Sequence, residues 1–317
     1  MTTTTTPIIA GDPLPVSWFR LSPVQSGIAL GLFAAAIWGS YLALSRAGIT
    51  SGLQASDIAF IRYGVAGLIM LPWLLRQGVS DLAGVGWRRS TMLAVLVGPP
   101  FILIGVGGYS FAPLAHGAVV QPAALTIGGL VLAMVVLRDR PTAARIAGTA
   151  VILAGLAVIA GPGLLTGDAM TSLGDAMFAA AGLMWAGFSV LQRRWSLNPL
   201  QATAAVSVLS ALVYVPGYLW LTGIDRLAAL PLPMLATQIL VQGVLSGVVA
   251  VIAFSRAVQL LGASRAAAFP ALVPAVAILI GVPVTGEIPT ALQAGGLVLV
   301  TLGLLFAVGV VKLKARG

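Results

Sequence analysis

Long apolar runs, broken by short segments rich in Gly, Pro and Asp, dominate the pattern of the chain. A helix that crosses the hydrocarbon core of a bilayer needs about 20 residues, and ten runs have about that length. A membrane barrel would instead show segments of about ten residues with alternating polarity. The pattern predicts an all-α integral membrane protein with ten transmembrane helices: Gly27–Ser45, Ile58–Leu75, Thr91–Phe111, Gly117–Leu137, Ile146–Leu164, Leu173–Leu191, Ala202–Leu221, Leu235–Val258, Ala263–Pro283 and Ala291–Val311.

The ten runs divide into two related halves. A frame of a carboxylate, Pro-Thr and spaced Gly begins at Asp139 and returns 148 positions later at Glu287. A second segment, around Trp38, returns 147 positions later around Trp185. A fixed period indicates a duplicated unit, here about half the chain. We expect a flexible N-terminal tail, two five-helix repeats and a basic C-terminal tail at residues 1–24, 25–165, 173–311 and 312–317.

The positions of Arg and Lys predict the orientation in the membrane. With the N-terminus inside, 14 of the 17 lie on the inner side, Arg46 and Arg226 lie outside, and Arg62 lies within the second helix. Positive charge concentrates in cytoplasmic loops, so both termini are expected in the cytoplasm, with the multi-pass chain in the inner membrane. Each repeat has five helices, an odd number, so the second repeat enters the membrane inverted. Inverted repeats are typical of secondary transporters with a site near the midplane.

Composition supports a lipid bilayer as the partner and excludes several functions. The chain is 59% hydrophobic and 8% charged, whereas soluble domains are about a quarter charged. The net charge of +9 is explained by cytoplasmic Arg rather than by nucleic-acid binding. With no Cys and a single His, neither a metal site nor any other cofactor is expected. The spans carry no catalytic constellation, so we expect no enzyme.

Three short motifs point to a known family. They are an Ala-rich Trp-Gly element in the first helix of each half, a Phe-Ile-Arg-Tyr segment, and a Pro-to-acid frame: 34–40 with 181–187, 60–63, and 274–287. With these motifs the chain resembles the ten-helix EamA-type branch of the drug/metabolite transporter superfamily over residues 25–311. Thr126 and Asp139 depart from the family's Pro and Glu.

The resemblance implies a transporter that exports a small organic metabolite, such as an amino acid, by alternating access. The first four helices of each half would surround the cavity, with helices five and ten as buttresses. The alternative functions are a lipid-modifying membrane enzyme and a non-transporting assembly subunit. Whether the chain forms a homodimer is a separate question that the sequence leaves open. The carboxylates lie at predicted helix ends, so we expect no obligatory proton coupling through a midplane acid.

Repeat-related aromatic residues are the first candidates for a substrate site. Trp38 and Trp185 lie deep in their helices, with Tyr41 and Phe188 one turn on, whereas a Trp of the interfacial belt would lie at a helix end. They could form two walls facing each other across a cavity, or packing wedges at the pseudo-symmetry axis. The sequence leaves both alternatives open.

Two charged or titratable residues are candidates with simpler alternatives. Arg62 is the one cation inside a predicted span; it faces a cavity or a partner, or its side chain extends to the outer surface beside Asp57. The sole histidine, His116, lies in the predicted outer hairpin between helices three and four. It is expected to be a solvated loop residue or, alternatively, a gate that titrates near neutral pH.

Prolines and polar residues in helices four, eight and nine complete the candidate site. Pro122, Pro270 and Pro274 interrupt predicted helices, and each frees a carbonyl that lipid cannot satisfy. We expect these prolines to act in gating. Neighbouring residues that could line the same space for substrate are Tyr109, Gln121 and Gln242.

Overall fold

The computed structural model describes residues 22–166, 168–261, 266 and 268–307, and none of these forms a β-strand. Seven helices are long and apolar enough to cross a membrane, and three shorter apolar helices make ten. This confirms the predicted all-α membrane fold. The helices are α1 Pro23–Thr50, α2 Ala55–Gln77, α3 Trp87–Ser110, α4 Leu114–Val136, α5 Ala143–Thr166, α6 Ala169–Arg194, α7 Pro199–Thr222, α8 Leu232–Leu261, α9 Val273–Thr285 and α10 Ala291–Ala307.

Polar side chains begin the first helix of each repeat. Ser22 caps α1 in a reciprocal pair of hydrogen bonds with Gln25. Asp168 caps α6, and its carboxylate accepts from the backbone N–H groups of Met170 and Thr171. Both caps satisfy N–H groups that the first helical turn leaves unpaired. The predicted tails lie mostly outside the described residues.

The third helix of each repeat is irregular, for different reasons. Helix α3 breaks at Gly98, before two prolines. Because Phe101 N–H bonds to the carbonyl of Gly98, the carbonyl of Val97 is left over, and it accepts from the Tyr63 hydroxyl at 2.6 Å. Helix α8 instead contains a π-helix over Ile239–Val249. Such π-segments are frequent at functional sites.

Helix nine differs from the sequence prediction. The described part begins at Val273, so Pro274 lies in the first turn, where its missing N–H would be unpaired in any case. Pro270 lies in a separate helical turn, Ala268–Ala271. The prediction that these two prolines interrupt one long helix is therefore wrong. They lie instead in two short, separate helices. Pro122 does lie inside α4 as predicted.

The helices pair with a two-fold pattern. Helix α1 packs on α8 and α9 of the other repeat, and α6 packs in the same way on α3 and α4. Two helices pack on their own counterparts in the other repeat: α2 packs on α7, and α5 packs on α10. In the latter, a Cβ built on Gly155 would lie 2.9 Å from the carbonyl oxygen of Gly296, and the reverse distance is also 2.9 Å. Glycine is therefore required where α5 and α10 cross.

Large apolar side chains cover the outside of the bundle. Trp220, Leu279 and Val135 are more than 70% exposed, which fits contact with lipid rather than water. The buried cluster runs between the repeats and includes Ile58, Phe101 and Tyr109. Polar groups within this apolar interior are therefore the candidates for function.

Candidate functional site

A buried polar cluster lies between α1, α2 and α8. Arg62 of α2 is only 9% exposed, and its Nη1 donates to Ser246 Oγ of α8 at 2.7 Å. The guanidinium carbon lies 5.1 Å from the ring centroid of Tyr41 on α1 and 6.0 Å from that of Tyr63, within the range of a cation–π interaction. We call Tyr41, Ser45, Arg62, Gln242 and Ser246 the Arg62 cluster.

Helix α8 supplies a line of polar side chains to this cluster. Gln238, Gln242 and Ser246 are spaced by four residues and are all buried, and the π-helix runs through the line. Gln242 Nε2 donates to Ser45 Oγ and to Gln238 Oε1, both at 3.1 Å. Gln242 Oε1 has no hydrogen-bond partner among the described residues. A buried acceptor without a partner is costly, so this atom is free to bind a ligand donor.

Asp57 does not neutralise Arg62, although both lie on α2. Its fully buried carboxylate accepts from the Tyr218 hydroxyl at 2.7 Å and forms an ion pair with Arg226 at 3.2 Å. The alternative in which Arg62 extends to the surface beside Asp57 is therefore wrong. The guanidinium is instead directed towards Ser246 and Tyr41.

The charge distribution assigns one end of the bundle to the outside, and we call it the outer end. An ion pair closes this end. Arg46 of α1 pairs with Glu287, between α9 and α10, at 2.6 Å, with side-chain exposures of 18% and 28%. Arg46 also donates to the carbonyl of Tyr109. The other oxygen of Glu287 accepts from the N–H of Leu114 at 2.9 Å, at the first residue of α4, where a carboxylate is favourable. Four elements therefore meet at this pair.

A second ion pair lies at the opposite, inner end. Arg193 of α6 pairs with Asp139, between α4 and α5, at 2.6 Å. In the repeat alignment Arg46 corresponds to Arg193, and Glu287 corresponds to Asp139. The duplicated sequence thus places the same ion pair at both ends of the inverted bundle. The inner pair is more open, because the Arg193 side chain is 63% exposed.

His116 does not lie in a solvated loop, contrary to the simpler sequence interpretation. It belongs to the first turn of α4 and is buried. Its Nδ1 lies 2.9 Å from Asp175 Oδ1 of α6. The signal that sequence analysis missed is the short Pro113-to-His116 spacing, since Pro113 directly precedes the helix.

The two repeat-related tryptophans each pack on the third helix of the opposite repeat. The ring centroids of Trp38 and Phe254 of α8 are 5.3 Å apart, and those of Trp185 and Phe101 of α3 are 5.2 Å apart. Phe188 lies 6.0 Å from Trp185. The structure does not bring Trp38 and Trp185 into ring contact with each other among the described residues. Tyr41, by contrast, reaches the Arg62 cluster.

The remaining predicted residues lie at α3, α4 and the outer end. The buried Tyr109 packs on Phe178 at 4.8 Å between ring centroids, and its carbonyl meets Arg46. An open hollow of about 560 Å³ lies beside them at the outer end. Gln121 is half-buried next to Pro122, whose carbonyl accepts from the Thr126 hydroxyl at 2.9 Å. Among the described residues, no hydrogen bond or ring stacking joins the side chain of Tyr109 or Gln121 to the Arg62 cluster.

Sequence reasoning missed the residues that complete the site. Ser45, Ser246, Gln238 and the two ion pairs were not singled out. The repeat alignment held a signal for the ion pairs, because it matched both arginines and both acids across the halves. In the part of the chain that the structure describes, no three His, Cys, Asp or Glu side chains come together as a metal site would require.

A sequence model of the EamA-like transporter family matches residues 25–161 and 172–309. The chain belongs to the EamA-like transporter family. It is a multi-pass membrane transporter of the drug/metabolite superfamily rather than an enzyme, and its partners are a small-molecule solute and the lipid bilayer.

A solved structure shares the overall fold of this chain. This structure, described only as the crystal structure of a protein, is similar with a TM-score of 0.60 over 89% of this chain and 96% of the other. The two sequences are 18% identical, so the likeness concerns the fold alone. No curated protein matches the sequence.

Proposed function

We propose that this EamA-like transporter exports a small organic metabolite, such as an amino acid, across the inner membrane by alternating access, with both termini in the cytoplasm. The observation that carries the proposal is the pair of repeat-related ion pairs, Arg46–Glu287 and Arg193–Asp139, at opposite ends of the bundle. A protein with no alternating function has no evident need for the same pair at each end.

The ion pairs are proposed to act as alternating closures. Arg46–Glu287 links the end of α1 to the connection between α9 and α10, and Arg193–Asp139 links the end of α6 to the connection between α4 and α5. Breaking one pair would let the two repeats separate at that end while the other pair holds. Rocking of inverted repeats about a central site produces alternating access. With both pairs formed, the bundle is in an occluded arrangement.

The substrate site is proposed to lie between these closures, at residues that the two repeats share. The Arg62 cluster forms its polar part, and the repeat-related aromatic residues form its walls once one end has opened. Pro122 of α4, Pro270 and Pro274 before and at the start of α9, and the buried His116 are proposed to accommodate the gating movement. The substrate-binding residues proposed are Trp38, Tyr41, Arg62, Tyr109, Gln121, Trp185, Phe188 and Gln242; the gating residues are His116, Pro122, Pro270 and Pro274.

Transport is proposed to run down a metabolite gradient without obligatory proton coupling through a midplane acid. Asp57 is the fully buried carboxylate of α2, and it is already held by Tyr218 and Arg226. Asp175 is paired with His116 near the start of α6. A proton carrier needs an acid whose access to each side alternates, and neither acid is placed at the cluster.

The test is efflux from proteoliposomes loaded with a defined mixture of proteinogenic amino acids, quantified by mass spectrometry. The protein has no native Cys, so Thr50→Cys/Ile288→Cys can be joined across the outer end by a short, reducible thiol cross-linker. We expect efflux that stops on cross-linking and returns on reduction, with the single-Cys variants unaffected. Covalent change in lipid without amino-acid efflux would support the enzyme alternative. The absence of both efflux and lipid modification would support the assembly alternative.

A further inference from the structure

Arg62 presents a buried positive charge without a negative partner. Among the described residues no carboxylate lies within salt-bridge distance of its guanidinium, since the four carboxylates found in such contacts face Arg46, Arg193, Arg226 and the imidazole of His116 instead. A buried charge is normally paired, because desolvation is expensive. When Pro72 of α2 is aligned with Pro216 of α7, the repeat counterpart of Arg62 is the apolar, buried Val206. Neither the packing nor the symmetry of the fold therefore accounts for the arginine.

The hydrogen-bonding capacity of Arg62 is mostly unused. A guanidinium has five N–H donors in a planar fork, and one hydrogen bond, to Ser246, is formed within the described residues. The rings of Tyr41 and Tyr63 lie near the guanidinium and contribute cation–π attraction, and the Tyr63 hydroxyl also approaches the guanidinium. The free edge of the fork matches the two oxygens of a carboxylate.

A second unsatisfied group lies one turn away on α8. Gln242 precedes Ser246 by four residues within the π-helix. Its Nε2 is engaged with Ser45 and Gln238, so its partnerless Oε1 is an acceptor for an N–H or O–H donor. Gln238 also lines a hollow of about 230 Å³ between α1 and α8 at the outer end. The hydrogen bond from Gln242 to Gln238 therefore connects the cluster to a residue of this hollow.

We propose that the Arg62 cluster binds the carboxylate of the transported solute, with a neighbouring N–H or O–H group of the same solute donating to Gln242 Oε1. The substrate class is therefore a small carboxylic acid that carries an adjacent donor, such as an amino or hydroxy acid. The inference rests on the proposed transport function, of which it specifies the substrate. Arg62 supplies selectivity for charge, and Gln242 selects the adjacent donor.

The experiment compares acids with their neutral amides by binding to the purified protein in detergent, which requires no transport. The ligands are amino acids, hydroxy acids and simple monocarboxylates, each beside its amide, with chloride and phosphate as anion controls. We expect at least one amino or hydroxy acid to bind tenfold or more tightly than its amide. Arg62→Gln should abolish that preference, whereas Arg88→Gln, which removes an exposed arginine outside the cluster and both closures, should keep it.

Ser246→Asp provides a variant that keeps the arginine. Its carboxylate would lie beside Arg62 and occupy the fork, so we expect loss of acid binding together with a higher melting temperature than the native protein. Three results would overturn the inference. The first is an acid preference that survives in folded Arg62→Gln or Ser246→Asp. The others are no preference for any acid over its amide, and binding of chloride as tight as that of the acids. If amino-acid efflux is observed, those three results leave the transport proposal intact. If efflux is absent but acid binding is intact, the transport proposal is contradicted and the binding inference is not.

Discussion

The outer and inner ion pairs have the same origin in the repeat but different surroundings. Arg46 and Glu287 are largely shielded, and each makes a further hydrogen bond, to Tyr109 and to Leu114. The Arg193 side chain is 63% exposed, and its guanidinium has Asp139 as its one hydrogen-bond partner among the described residues. The duplication fixed the charges, whereas later divergence of the neighbouring residues determines how strongly each end is held.

This difference has an energetic consequence. Exposed ion pairs contribute about 0–1 kcal/mol, while removal of one partner of a shielded pair costs several times more, because the other charge is left unpaired. The described state is therefore held mainly at the outer end. We expect the inner end to open first, and two matched variants test that asymmetry.

Glu287→Gln should have the largest effect. It leaves Arg46 without a counter-charge and weakens the hydrogen bond to the start of α4, so we expect a loss of about 2 kcal/mol in the free energy of unfolding. Amino-acid efflux should also fall, because the outer end no longer closes. Chemical denaturation in detergent and efflux from proteoliposomes measure the two effects. Unchanged stability would show that the outer pair contributes no more than a surface contact.

Asp139→Asn, the matched change at the inner end, should have a smaller effect. The partner Arg193 remains solvated, so we expect less than about 1 kcal/mol in the free energy of unfolding. The same denaturation measurement applies, with Glu287→Gln as the reference. A loss equal to that of Glu287→Gln would contradict the asymmetry between the two ends.

The caps of α1 and α6 should show the smallest effect, as a difference in pH dependence. Hydrogen bonds from the Thr171 hydroxyl and N–H lower the pKa of the exposed Asp168. Its folded pKa is below its unfolded pKa, so its contribution is present above about pH 4 and is lost as pH falls through the folded pKa. Ser22 does not titrate.

Melting temperatures between about pH 5 and pH 2 measure this difference. Asp168→Asn should make the melting temperature fall less steeply as the pH is lowered. Ser22→Ala should lower the melting temperature equally at all pH values. Parallel curves for the native protein and Asp168→Asn would contradict the role of the Asp168 carboxylate.

Local and repeated features could be predicted from the sequence. Apolar runs long enough to span a bilayer identified all ten helices, because lipid requires every backbone group to be bonded within its own helix. Two glycines four residues apart, such as Gly243 and Gly247, indicate a close helix approach, and Cβ atoms built there would lie 2.5 Å from Val65 and 3.0 Å from Ala66. Gly27 likewise faces Leu261.

Contacts between distant segments could not be predicted in the same way. The partner of Arg62 is 184 residues away in sequence, and the π-helix that aligns Gln238, Gln242 and Ser246 has no recognised residue signature. The burial of His116 depends on Asp175 of the other repeat. One sequence cannot show which polar groups of two helices meet, since many rotations of apolar helices bury similar areas.

Alternation of the two closures is the central claim, and paired distance measurements by electron paramagnetic resonance test it most directly. Spin labels at Thr50→Cys/Ile288→Cys report the outer end, and labels at Ser196→Cys/Arg140→Cys report the corresponding inner positions, all on exposed side chains. In proteoliposomes we predict that a transported amino acid changes both distance distributions in opposite directions, with one end lengthening as the other shortens. Two distributions that stay single and unchanged, or that lengthen together, would contradict alternating access.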